Sequence, residues 1–212
     1  MKSIDKISCK GLGKRYNREW IFRGIQLEFL KGSASAVLGH NGSGKSTFIQ
    51  ILSGYMMQSE GSILYEIDGK HIEQEKVYKQ ISYSAPYLEL IEDFSFEEAV
   101  QFQSRFKGFV DKMSEAEVIE RSGLKKDAGK LIKYFSSGMK QRVKLILSIL
   151  ADTSILFLDE PASNLDKSGI DWYRSLIDEY RRDRFVFVCS NQQEHEFDFC
   201  ESVIRIEDYK KK

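Results

Sequence analysis

The sequence predicts an α/β fold in which buried strands alternate with helices, preceded by an N-terminal antiparallel β layer. Three observations predict it. Residues Ile4 to Phe29 alternate apolar with polar side chains, the pattern of half-buried antiparallel strands. From Met139 onward, short apolar runs alternate with stretches of helical periodicity, as in sheets whose two faces are both covered. Between these regions lies Gly39-His40-Asn41-Gly42-Ser43-Gly44-Lys45-Ser46-Thr47, a glycine-rich loop between an apolar strand and a helix, on the pattern GxxxxGK[ST].

Bulk properties narrow the possibilities. The 212 residues, 42% of them hydrophobic, fit one large domain or a core with one inserted subdomain. Lys plus Arg and Asp plus Glu both number 32, so no global field draws the chain to nucleic acid and none is expected as a partner. Cys9, Cys189 and Cys200 are odd in number and lack CxxC spacing, which predicts reduced, mostly buried thiols. Charges sit where a signal peptide needs its apolar stretch, and no run approaches the ~20 apolar residues of a membrane span. A soluble chain that meets a membrane through a partner is therefore expected.

Taken in order, strands are expected at Ile4 to Tyr16, Trp20 to Phe22 and Ile25 to Phe29. Ser35 to Leu38 is a buried strand feeding the glycine-rich loop, and the helix after it covers Thr47 to Leu52, stopping near Gly54. Glu60-Gly61-Ser62 is a turn before a strand from Ile63 to Ile67, which ends at Asp68-Gly69 in a hairpin. Between Tyr87 and Phe135 the texture becomes helical. Ser95 and Glu98 form a capping box, and Glu115 to Arg121 is a second amphipathic helix. Phe102, Phe106 and Phe109 fall at helical spacing on one face, expected as subdomain core, with a docking groove for a partner helix as the sharper reading. A helix from Met139 to Leu150, a strand from Ile155 to Leu158 and a helix from Lys167 to Arg182 follow. A strand from Phe185 to Cys189, a short helix near Gln193 to Cys200 and a strand from Val203 to Ile206 complete the series. The tail Lys210-Lys211-Lys212 reads as a solvated end.

The chemistry starts at the loop. Its glycines let the backbone turn tightly and bring N–H groups to a polyphosphate, Lys45 supplies a point charge, and Ser46 offers a hydroxyl to Mg²⁺. The dipole of the following helix favours an anion at the same place. Asp159 and Glu160 end a buried strand, where an open α/β sheet holds its ligand: Asp159 would hold Mg²⁺ through water and Glu160 would polarise an attacking water. Ser136, Ser137 and Gly138 stand directly before a helix and make a second phosphate-binding device, too far along the chain to share the first one's task. Two such devices in one small chain suggest two copies sandwiching a nucleotide.

These residues resemble the ATP-binding-cassette family, specifically the nucleotide-binding subunit of an ABC transporter, over nearly the whole chain. Gly39 to Thr47 is similar to Walker A, Ile155 to Glu160 to Walker B with its catalytic glutamate, Ser163 to Asp166 to the D-loop, and Phe135 to Met139 to the signature. Tyr16 sits where the family stacks an aromatic ring on adenine, with plain strand packing as the other reading. The resemblance implies a P-loop NTPase cassette with a RecA-like core and its β layer at 1–86 and 139–212, and an inserted α-helical subdomain at 87–138. It implies ATP and Mg²⁺ as cofactors, a transmembrane permease as partner, and a homodimer or cassette heterodimer with ATP at the interface. The location implied is cytoplasmic, peripheral on the inner face of the cell membrane. Two departures accompany it. Pro86 replaces the Q-loop glutamine, and Asn191 stands at the switch histidine, leaving Glu160 and Asn191 as the catalytic candidates. His195, four residues on, is expected as a surface histidine. ATP binding is thus better supported than fast hydrolysis, and a soluble non-transport cassette protein or an ATP-binding switch with little turnover stays open.

Overall fold

The computed structural model describes residues 3–210; Met1, Lys2, Lys211 and Lys212, and with them most of the lysine tail, lie outside the described residues. β1 (Lys6–Tyr16) and β2 (Glu19–Leu30) form a long hairpin, and β3 (Ala34–Leu38) leads through the glycine-rich loop into α1 (Lys45–Leu52). A second hairpin, β4 (Glu60–Ile67) and β5 (Lys70–Ile72), precedes α2 (Gln74–Val77) and β6 (Ile81–Ser84). Then come α3 (Phe96–Phe106), α4 (Glu115–Arg121), α5 (Ser137–Ile149), β7 (Ile155–Asp159), α6 (Lys167–Tyr180), β8 (Phe185–Ser190) and β9 (Ser202–Arg205). Two sheets result: a four-stranded antiparallel sheet in the order β2-β1-β4-β5, and a five-stranded parallel sheet in the order β6-β7-β8-β3-β9.

The apolar runs of β7 and β8 are continuous because both faces of the parallel sheet are covered, and the two-residue period of a strand divides them between two cores. Phe157, Phe187 and Cys189 face the antiparallel sheet and α1. Leu156, Leu158, Val186 and Val188 face the helices α3 to α6. The rings of Phe157 and Phe187 stack at 5.2 Å, and Phe29 of β2 meets Phe187 edge-on at 4.8 Å, which fastens the two sheets together. Burying one such ring contributes about 1.5–3 kcal/mol.

Several expectations need correction. The two strands expected at 20–22 and 25–29 are one strand, because register shifts in β1 at 9–12 and 12–15 absorb the break in alternation. Glu60-Gly61-Ser62 lies inside β4, where Gly61 at φ 80° and a register shift between Lys10 and Gly13 make a bulge in place of a turn. The helix expected over 193–200 is a single 3₁₀ turn, Glu194–Glu196, held by tertiary bonds to Glu196. Phe102 and Phe106 are not core: they are 42% and 72% exposed, because α3 ends at 106, and only Phe109, beyond the helix, is buried. Phe94, Phe102 and Phe106 instead contact one another, with ring centroids 5.6 and 4.8 Å apart.

The capping box at Ser95 and Glu98 forms with bonds of 3.1 and 2.7 Å, and Ser114 with Glu117 makes a second one on α4. All three cysteines are free. Burial pushes the thiols of Cys9 and Cys200 up to about 12 and that of Cys189 well above its ordinary value, so none is a ready nucleophile.

Candidate active site

Three neighbouring parallel strands end side by side. Leu38 of β3 pairs with Ser190 of β8, and Cys189 of β8 pairs with Asp159 of β7. The loop at 39–44, the Asp159-Glu160 pair and Asn191 therefore leave the sheet at one carboxyl edge, where open α/β sheets hold ligands.

Gly44 caps α1 at φ 109°, and a Cβ there would lie 2.4 Å from Cγ2 of Ile21, so the loop packs against β2 with room only for glycine. Lys45 is buried and lies across the loop, its Nζ donating to the carbonyls of Gly39 at 2.8 Å and His40 at 3.2 Å. Asn41 and Gly42 are exposed at the crown, Ser43 is buried with an Oγ that has no hydrogen-bond partner, and Ser46 and Thr47 are half-buried in the first turn of α1. Outside the loop, the His40 backbone donates to Glu207 Oε1 at 3.0 Å and its ring pairs with the same oxygen. Those bonds from His40 hold the Glu207 carboxyl below its usual range.

Asp159 is 3% exposed and its Oδ2 has no hydrogen-bond partner. Burial pushes this carboxyl up, the hydroxyl of Ser46 opposes that, Glu160 adds to it, and Lys45 and the Tyr87 hydroxyl draw it down. A buried carboxylate oxygen with no partner fits a hard divalent cation that takes oxygen ligands, and the Ser46 hydroxyl is a second oxygen that could join it. Among the described residues no cluster of three or more His, Cys, Asp or Glu forms a metal cage.

Glu160 follows at φ 47°, a left-handed conformation uncommon outside glycine, with its N–H donating to Cys189 O at 2.9 Å. Asn191 is exposed at the end of β8. His195 is not a surface histidine: it is half-buried, and its Nε2 is buried with no partner. Pro86 is exposed beyond β6, and Lys144 reaches the carbonyls of Ala85 and Pro86 at 3.3 and 3.0 Å. The next residue, Tyr87, accepts from Gln50 Nε2 at 2.9 Å and pairs with the Tyr83 hydroxyl.

Ser136 and Ser137 are exposed, and Ser136 caps α5 by accepting from the Met139 N–H at 3.2 Å. A Cβ on Gly138 would lie 2.9 Å from Asn164 O, so this helix start sits tightly against the segment after Glu160. Among the described residues no hydrogen bond or ion pair joins 136–138 to the loop at 39–47. Tyr16 is 47% exposed; its hydroxyl touches Met56 Sδ at 3.1 Å, and Lys14 Nζ lies 5.0 Å from the ring centroid.

Four residues around this site were not singled out from the sequence: Gln50, Tyr87, Gln141 and Glu196. Gln141 donates to the Pro161 carbonyl at 2.8 Å, and Glu196 accepts from the Ala162 N–H at 3.0 Å. Each acts through tertiary contact, and their spacing in the chain carries no signal.

Comparison with known proteins gives the family and the fold. The family model described as "ABC transporter" matches residues 22–163. The lantibiotic transport ATP-binding protein SrtF of Streptococcus pyogenes is 28% identical over 197 residues, spanning 91% of this chain and 84% of that protein. Among solved structures, a putative ABC transporter ATP-binding protein from Pyrococcus furiosus superimposes with a TM-score of 0.82 at 22% identity, covering 97% of this chain and all of that one. A dimeric ATP-binding cassette in a post-hydrolysis state with ADP and Pi gives a TM-score of 0.81 at 21% identity, covering 95% and 94%. With more than half of its length matched by that family model, and with the fold of these cassettes, the chain belongs to the ABC transporter family.

Proposed function

We propose that this cassette binds ATP with Mg²⁺ and hydrolyses it as the energy-coupling subunit for a separate membrane permease. The observation that carries the reading is the buried Asp159, whose Oδ2 has no partner, at the same sheet edge as the loop of Ser46 and Lys45, with Glu160 next to it on a strained turn. In this reading the backbone at 39–44 and Lys45 cradle the β- and γ-phosphates, and Thr47 sits in the first helical turn behind them. Ser46 and Asp159 would hold Mg²⁺, which would neutralise charge on the phosphate oxygens when bound. Glu160 accepts a proton from the attacking water, and Asn191 donates an amide hydrogen bond to the γ-phosphate. Tyr16 stacks on the adenine ring.

Ser136, Ser137 and Gly138 of one copy face the loop of the other in a head-to-tail dimer, or in a heterodimer with another cassette. The exposure of Ser136 and Ser137, and the dimer in which one structural neighbour was captured, support this arrangement. The core with its β layer, 1–86 and 139–212, carries the nucleotide, and the helical subdomain, 87–138, carries the signature at its end and the permease contact. A cavity of about 660 Å³ between them, lined by Tyr55, Tyr78, Tyr87, Leu88, Lys107 and Lys144, is the docking place. No helix among the described residues is long and apolar enough to cross a membrane. In this reading the permease holds the cassette at the cytoplasmic face.

A second reading, an ATP-responsive switch with little turnover, is favoured by Pro86 and Asn191, which remove the side-chain amide and the titratable ring that the family uses there. Turnover of wild type and Glu160→Gln measured side by side separates the two. The first reading expects a fall of roughly 10²-fold or more with ATP binding kept, and an ATP-bound dimer on gel filtration. Equal rates and no added dimer would leave the switch.

A further inference from the structure

We propose that Glu196 is a positioning residue for hydrolysis, a buried carboxylate that locks the turn carrying Glu160 to the turn carrying Asn191. The inference rests on the role assigned to Glu160 above and adds a residue that this role does not include. Glu196 is 1% exposed, on the 3₁₀ turn after β8. Its Oε1 accepts from the N–H of Ala162 at 3.0 Å, two residues past Glu160. Its Oε2 pairs with the hydroxyl of Ser190, the residue before Asn191, and that hydroxyl also accepts from the Gln193 N–H at 3.2 Å. Its own carbonyl accepts from the Tyr173 hydroxyl at 2.9 Å, which anchors it to α6. Among the described residues no other side chain hydrogen-bonds to both turns.

Both turns need an external restraint. Glu160 and Asn164 lie at φ 47° and 63° on one, and Gln192 at φ 63° on the other. Non-glycine residues persist in that region only where surrounding contacts fix them. Core packing alone does not call for an acid here. No cation lies in ion-pair contact with Glu196 among the described residues, and burying a carboxylate is costly, so a methylene-rich side chain would fill the space with less penalty. What a carboxylate adds is two acceptor oxygens aimed in different directions, one for each turn. A general base whose supporting turn drifts by about 1 Å loses on the order of 10²-fold in rate without a comparable loss of substrate affinity.

The test compares Glu196→Gln, Glu196→Ala and Ser190→Ala with wild type and Glu160→Gln. Affinity is measured with Mg²⁺ and a non-hydrolysable ATP analogue, and kcat and KM with Mg²⁺ and ATP. The expectation for Glu196→Ala is affinity and KM within about threefold of wild type and kcat lowered about tenfold or more. Glu196→Gln, whose amide oxygen still accepts from Ala162 and whose NH₂ can donate to Ser190, should keep at least about a third of kcat. Wild-type kcat in Glu196→Ala, or affinity lost in step with kcat, overturns the proposal. Should Glu196→Ala fail to fold, Ser190→Ala, which cuts one arm, decides: an unchanged kcat overturns it. If Glu160→Gln itself turns over like wild type, the assignment of Glu160 has failed. Glu196 is then judged by hydrogen exchange at the Ala162 amide, which must quicken in Glu196→Ala while β3 and β8 stay protected.

Discussion

Gln141, buried on α5, donates its side-chain amide to the carbonyl of Pro161 across 2.8 Å, one residue past Glu160. The helix that begins with the signature is thereby tied to the turn that carries the candidate general base. Gln141→Leu leaves a buried carbonyl unsatisfied and should cost about 1–3 kcal/mol, seen as a drop of roughly 2–10 °C in Tm. Turnover should fall more than nucleotide affinity. Equal losses in both would mean that the bond serves folding alone.

Lys45 Nζ makes its only hydrogen bonds among the described residues to two carbonyls of its own loop, and the proposed function sets its charge beside the phosphates. Removing it in Lys45→Ala should cost about 2–3 kcal/mol of binding, a loss of some thirty- to a hundredfold or more in ATP affinity by calorimetry. Unchanged affinity would move the nucleotide site elsewhere.

Asp159 is held in a place that suits a cation and penalises its own charge. Its carboxyl is raised from 3.8 by burial, so the unfolded chain gives up this proton at a lower pH than the folded one. The charge therefore begins to oppose folding as pH rises through 3.8, and the cost grows until pH passes the raised value of the folded carboxyl. Asp159→Asn, neutral throughout, should melt above wild type at pH 7 in the absence of nucleotide, by a few degrees. The gap should close as pH falls below 3.8. Adding Mg²⁺ with ATP should stabilise wild type more than the variant and reverse the order. A variant less stable than wild type at pH 7 would contradict this account.

The helical segment carries aromatic and apolar side chains that remain exposed, Phe106 even while its ring meets Phe102. Leu88, 38% exposed, lines the 660 Å³ cavity, and Phe106, 72% exposed, ends α3. On the proposed reading, Leu88→Glu and Phe106→Glu should break co-purification with a permease from detergent extract and leave ATP affinity within about twofold, since surface changes of this kind seldom disturb the fold by more than ±0.5 kcal/mol. Intact co-purification would put the docking surface on another face.

The local structure was legible in the sequence by itself. The glycine-rich loop, the capping box at Ser95, and α4 at Glu115–Arg121 followed from spacing and residue type, because each is fixed by contacts within a few residues. The apolar runs of β7 and β8 were legible for a related reason: full burial on both faces leaves no polar position to interrupt them. What only the tertiary structure decided was where long-range partners intervene. Bulges let β2 run on through Arg23-Gly24, and bonds from Ala162 and Tyr173 reduced an expected helix to one turn around Glu196. The end of α3 left Phe102 and Phe106 outside a core that their periodicity had promised. Gln141 and Glu196 act across 20 and 34 residues of chain on the turn beside Glu160, and helical or strand periodicity carries no record of partners so distant.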